Sequence, residues 1–193
     1  MTDETSTAIL SAAWELFIEA GRVDASMAEI GRRAGVTRQT VYLAFRSRAG
    51  LLIAMARQAD AKSTHSRRMA DLAAEPAPTP DVLLDFAEAW LNHLPEIFPV
   101  GRLLVAAAVT DADAAVVLRD RMEASLLAKY ATILRPLAAQ KRLRPGLTAE
   151  RAADIAWSMT HLDAWRHLVV ERGWTPEEFR EDRLRLISHH IFS

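Results

Sequence analysis

Apolar side chains recur at helical spacing from the start of the chain. Ile9, Ala13, Leu16, Phe17 and Ala20 share one face, which predicts a helix over residues 5–20 ended by Gly21. Met27, Ile30 and Ala34 form the next apolar set. Ser26 precedes it and Glu29 stands three residues on, a capping box in which each side chain satisfies the other's backbone N–H. Gly35 allows a left-handed turn. Thr37 is the next cap candidate, and Val41, Ala44 and Phe45 turn inward on a helix over 38–45. Ser47 opens a long fourth helix over 48–73, with Leu51, Leu52, Met55, Ala59, Met69 and Leu72 apolar. Its middle, 57–68, is polar, as suits a bridge between two domains.

The proline cluster EPAPTP, 75–80, marks a loop, after which Thr79 caps and Pro80 begins a helix ending near Leu94. Pro95 and Pro99 predict a break, followed by a short apolar helix over 100–109. A long helix from Asp111 or Asp113 toward Gln140 should kink or end at Pro136. Thr148 caps a helix running to about Arg172. Thr175-Pro176-Glu177-Glu178 combines cap, first-turn proline and returning glutamate at the start of the last helix. The pattern predicts an all-α chain of nine helices with no strand.

Composition narrows the picture. The 193 residues are half hydrophobic and contain no cysteine, so disulfides, thiolate metal sites and cysteine nucleophiles are excluded. No apolar run reaches the roughly 18 residues of a membrane span. An acidic Met1–Glu4 does not read as a signal peptide, and the expectation is a cytoplasmic protein without membrane contact. The net charge of −1 hides an asymmetry. Residues 1–20 carry −4, residues 21–68 carry +7 and the remainder −4. A basic block of this kind is the footprint of a nucleic-acid face.

That block contains the two short helices and tight turn of 26–48. A second helix that offers polar and basic groups outward can enter the major groove, with its N-terminal residues at base edges. Arg38 suits the acceptors of guanine and Gln39 the edge of adenine. Thr37, Thr40 and Tyr42 carry hydroxyls suited to phosphates, Arg46 and Arg48 can clamp the backbone beyond the helix, and Ser26 sits at a helix N-terminus that can face a phosphate. Leu43, if exposed, can touch a thymine methyl.

These residues resemble the TetR family of transcriptional repressors. The likeness rests on Ala34-Gly35-Val36-Thr37, Thr40-Val41-Tyr42-Leu43-Ala44-Phe45, Ser47-Arg48 and Leu51-Leu52, within residues 6–55. Two positions depart from the family pattern. Arg48 stands where lysine is common, and Gly50 where glutamate is frequent, which predicts a frayed start to the fourth helix. The resemblance implies a nine-helix TetR-like fold: a helix-turn-helix DNA-binding domain over 1–47, a connecting helix over 48–73, and a ligand-binding and dimerisation domain over 74–193.

In the second domain, Ile155, Met159, Leu162, Arg166 and Val169 line one side of the 148–172 helix, and Leu184, Ile187 and Ile191 belong to the last helix. A nearly fully apolar girth needs a second surface to cover it, and the resemblance implies a four-helix homodimer interface built from these two helices. Phe86, Trp90, His93, Phe98, Leu104, Tyr130, Trp157 and His161 are the candidates for an aromatic-walled ligand pocket with a few polar handles.

Catalytic motifs are missing: the chain has no G-x-S-x-G, no H-E-x-x-H and no glycine-rich phosphate loop. His161 and His167, six apart, do not share a helix face, whereas Asp163 and His167 read as a surface pair. No metal or cofactor is expected. The implied function is that of a homodimeric repressor on a near-palindromic double-stranded DNA operator, released by an unknown small-molecule effector. The alternatives are a small helical enzyme and an interaction module without DNA binding.

Overall fold

The computed structural model describes residues 3–192, with the side chains of 121–124 left aside. Helix is the dominant regular structure, and no strand occurs among the described residues. Counting π-helical stretches with the α-helices they continue, the described residues form ten helices. They are α1 (Asp3–Trp14, continued by Glu15–Glu19), α2 (Met27–Arg33), α3 (Arg38–Phe45), α4 (Arg48–Lys62) and α5 (Thr64–Ala73). Then follow α6 (Pro80–Ala108), α7 (Ala112–Arg119 and Asp120–Leu127, into Ala128–Ala139), α8 (Ala149–Met159), α9 (Leu162–Trp165, continued by Arg166–Glu171) and α10 (Pro176–Phe192).

Three boundaries differ from the sequence expectation, each for a local reason. The helix expected over 48–73 stops at Ser63, whose hydroxyl accepts from the Ser66 N–H and starts α5. The break expected at Pro95 and Pro99 does not occur, and α6 runs through both. Each proline leaves one carbonyl a turn earlier without its usual donor. The helix persists because Leu83, Phe86, Trp90, Leu94, Ile97, Phe98 and Leu104 are all buried on either side of the prolines, and that packing outweighs the lost bonds. The helix expected over 148–172 breaks at Thr160 and His161. There His161 turns to an extended backbone and its Nδ1 accepts from the Asp163 N–H at 3.2 Å.

The chain divides into two compact units. One comprises Met1–Asp60 with Pro99–Leu118, the other Ala61–Phe98 with Arg119–Ser193. The chain therefore changes unit inside α4, inside α6 and inside α7. In the first unit Ile9, Ala13, Phe17, Ile30, Val41, Leu51, Leu52 and Met55 are buried together around α1–α4. In the second, Leu83, Phe86, Leu91, Tyr130, Leu134, Ala152, Ala156, Phe179 and Ile187 form the core.

Candidate nucleic-acid interface

The reading unit is assembled by its caps. Ser26 and Glu29 close the expected capping box: the Ser26 N–H donates to Glu29 Oε2 at 2.8 Å and the Glu29 N–H to Ser26 Oγ at 3.3 Å. Arg22 donates to the other Glu29 oxygen at 2.8 Å. The Ser26 backbone bond, then the Arg22 bond, hold the Glu29 carboxyl down at about 2. Ser26, expected to face a phosphate from this helix N-terminus, has its hydroxyl engaged in the cap. Its hydroxyl also bonds the Glu29 carboxylate at 2.9 Å, and that carboxylate already supplies the negative charge that the helix N-terminus favours.

Helix α2 ends as its glycine requires. Gly35 adopts φ +70°, the Val36 N–H reaches the Gly31 carbonyl at 2.8 Å, and the Gly35 N–H reaches Arg32 at 3.2 Å. These are the paired bonds of a Schellman ending, which turns the chain sharply. Thr37 then caps α3, accepting from the Thr40 N–H at 3.1 Å, and the two hydroxyls bond at 2.9 Å.

Helix α3 is pinned by Val41, which is fully buried. Its outer face carries Arg38, Gln39, Tyr42 and Leu43, all exposed, Leu43 at 76% and Tyr42 at 49%. Thr40 is half-buried beside Thr37. Arg38 and Gln39 have no polar partner among the described residues and stand free at the N-terminal end of the helix. Leu43 meets the condition of exposure for a methyl contact. Arg46 is exposed and leaves the helix at φ +61°, with the Ser47 N–H bonded to the Phe45 carbonyl at 2.6 Å. That geometry is a γ-turn, a strained conformation that fixes the exit from α3.

Arg48, expected to clamp a phosphate, has its guanidinium engaged within the chain. Its guanidinium donates to the Ala25 carbonyl at 2.8 Å and also to the Val23 carbonyl, and lies 4.4 Å from the centre of the Phe17 ring. Burial lowers its pKa. Donors turned onto two carbonyls and one aromatic face tie α4 to α1 and to the segment that leads into α2. Arg33 is exposed and pairs on the surface with Glu15 at 2.6 Å.

Gly50 was expected to soften the start of α4. Instead Ser47 Oγ accepts its N–H at 3.0 Å, and a Cβ at this position would lie 2.0 Å from the Phe45 carbonyl oxygen. The glycine is there because backbone passes against backbone.

In the second unit several of the aromatic candidates are brought together: Phe86, Trp90, His93, Phe98 and Tyr130 are buried, and Trp157 and His161 are half-buried. Phe86 and Tyr130 meet edge to face at 4.9 Å. The buried Tyr130 hydroxyl bonds Thr160 Oγ1 at 3.1 Å, the Trp90 indole donates to the Thr160 carbonyl at 2.8 Å, and Thr160 Oγ1 donates to the Ala156 carbonyl at 2.9 Å. Burial pushes the Tyr130 pKa up. Thr160 is the hub, and sequence reading missed it; the helix break frees the carbonyl that Trp90 uses. His93 is buried with its Nδ1 3.0 Å from Glu96 Oε2. Phe98 packs toward Trp165 at 6.4 Å, and Trp157 meets His161 edge to face at 5.0 Å. Leu104 is buried in the first unit. Of the expected pocket residues, Trp90 and Tyr130 thus meet at Thr160, with Phe86 against the Tyr130 ring.

The expected dimer residues separate into two groups. Leu162, Ile187 and Ile191 are buried within the chain and leave the interface set, because their side chains are used up in the core. Ile155, Met159, Arg166, Val169 and Leu184 keep partial exposure. Arg166 bonds Glu171, and His167 pairs with Glu171 at 2.9 Å instead of Asp163. Among the described residues no cluster of metal-ligating side chains forms, and no helix is long and apolar enough to cross a membrane.

Residues 9–55 match the family model described as "Bacterial regulatory proteins, tetR family". No curated protein is significantly similar in sequence. Among solved structures, NalD, the secondary repressor of the MexAB-OprM multidrug efflux pump in Pseudomonas aeruginosa, is 25% identical. It superposes with a TM-score of 0.68 over 98% of this chain and 96% of its own. SmeT, the repressor of the Stenotrophomonas maltophilia multidrug efflux pump SmeDEF, is 20% identical with a TM-score of 0.69, covering 99% and 93%. A Mesorhizobium loti protein described as a TetR-family transcriptional regulator is 20% identical, with a TM-score of 0.72 over the full length of both chains.

Proposed function

We propose, from the premise that this chain belongs to the TetR family of DNA-binding transcriptional regulators, that it is a repressor. It acts as a homodimer on a near-palindromic operator, in the cytoplasm, by binding alone and without catalysis. A small apolar effector releases it from DNA. The observation that carries the reading is the free pair Arg38 and Gln39 at the N-terminal end of α3, rigidly presented by the Thr37 cap and the buried Val41. Arg38 is assigned to a guanine and Gln39 to an adenine, with Thr37, Thr40, Tyr42 and Arg46 on the flanking phosphates.

One such helix covers too few base pairs for specificity, so two copies related by a two-fold axis are needed, about 34 Å apart or a multiple of it. The partly exposed Ile155, Met159, Val169 and Leu184 support an interface through α8–α10. Similarity to two repressors of drug efflux pumps supports repression, and a solved complex of SmeT with triclosan supports an apolar effector. An effector releases DNA only through different affinities for the free and bound states, and the effect is reciprocal.

The test is a mobility shift on the DNA upstream of the protein's own gene, followed by anisotropy on point-mutated sites. Arg38→Ala and Gln39→Ala should each cost about 1–3 kcal/mol and relax preference at one base pair per half-site. Equal losses on specific and random DNA would remove the base-reading role. Titrating triclosan against the complex tests release; unchanged operator affinity at saturating triclosan would exclude that class of effector.

A further inference from the structure

The first unit contains a cleft that the DNA-reading role does not use. It has a volume of about 210 Å³ and is lined by Phe17, Ile18, Val23, Pro99, Leu103 and the exposed Arg102, with Gly21 at its edge. Every one of these residues belongs to the same compact unit. Five of the walls are apolar and one is cationic. Among the described residues the Arg102 guanidinium has no hydrogen bond or ion pair. Arg22 and Arg33, by contrast, are committed to Glu29 and Glu15. Val23 is 44% exposed, so part of its aliphatic surface is open to a ligand.

We propose that this cleft binds a small aryl carboxylate, with its ring against Phe17, Val23 and Leu103 and its carboxylate on Arg102. The chemistry follows from the walls. Apolar surface favours an apolar body. A lone guanidinium matches a single carboxylate through two parallel N–H bonds. At about 30 Å³ per water the cleft holds about seven waters' worth of space, which suits one six-membered ring and its acid group. The position gives occupancy a consequence. Phe17 and the Val23 carbonyl are two of the three groups that the Arg48 guanidinium grips, and the segment 21–25 leads into Ser26 at the start of the reading unit. A ligand resting there bears on the same clasp that positions α2.

The experiment is isothermal titration of the full-length protein, without DNA, using benzoate as the probe. Saturable uptake of one benzoate per chain is expected. Neutral benzamide should bind at least about tenfold more weakly, and Arg102→Gln should weaken benzoate by about the same factor, as loss of a charge-assisted bond predicts. Arg102 is exposed, so its replacement does not threaten folding. The proposal is overturned if benzoate shows no saturable uptake, if benzamide binds equally well, or if Arg102→Gln binds benzoate like the unaltered protein. No arm of this titration involves an operator, so its failure is distinct from failure of the repressor reading.

Discussion

The guanidinium of Arg48 donates to the backbone carbonyl of Ala25 at 2.8 Å, reaching back from the first residue of α4 to the residue that precedes the α2 cap. This bond ties the start of the connecting helix to the start of the reading unit. Two further contacts hold the same guanidinium: Phe17 lies under it, and the Val23 carbonyl takes a second N–H.

Replacing Arg48 therefore tests architecture. Arg48→Ala should destabilise the protein by about 1.5–3 kcal/mol, the loss expected for hydrogen bonds from a charged group. Arg48→Lys should recover only part, since a point charge cannot serve two carbonyls and an aromatic face together. Denaturant midpoints measure this. The salt dependence of DNA binding should keep its slope in both variants; a slope reduced by about one would return Arg48 to the phosphates.

Gly50 offers a test in which helix propensity and packing disagree. Alanine is the better helix former by up to about 1 kcal/mol. Yet its Cβ would stand 2.0 Å from the Phe45 carbonyl oxygen, a backbone atom held by the γ-turn at Arg46. Gly50→Ala should destabilise by roughly 1–3 kcal/mol, as overpacking does. A stabilised variant in thermal melts would contradict the close approach.

The Thr160 hub invites a double-mutant cycle. Thr160→Val leaves the buried Tyr130 hydroxyl without its partner and should cost about 1–3 kcal/mol. Adding Tyr130→Phe removes the orphaned group, so the double variant should be more stable than Thr160→Val alone. Additive losses in chemical denaturation would mean that the two hydroxyls do not act as a pair.

Acid stability should depend on Glu29. Its pKa falls from 4.5 to about 2 on folding, chiefly through the Ser26 backbone bond. A depressed carboxyl contributes stability that is fully present above 4.5 and is lost as the pH falls toward 2. Glu29→Gln should thus flatten the decline of stability across that window, read from denaturant midpoints against pH. An acid limb identical to that of the unaltered protein would show that the pairing contributes nothing.

Local chemistry determined much of this protein through its sequence alone. The capping box at Ser26 and Glu29, the left-handed Gly35, the Thr37 cap and the buried Val41 depend on groups within a few residues of one another, and the sequence displays them directly. So did the outward Arg38 and Gln39, because a helix of known start assigns each side chain a direction. The tertiary structure decided what depends on distant partners. Arg48 reads as a cation after a recognition helix until Ala25, 23 positions earlier, claims it. Pro95 and Pro99 read as breakers until core packing on both sides of them carries α6 through. Thr160 looks unremarkable until a broken helix exposes its carbonyl to Trp90, 70 positions away. In each case the deciding energy comes from desolvation and hydrogen bonding between segments that only the folded chain brings together.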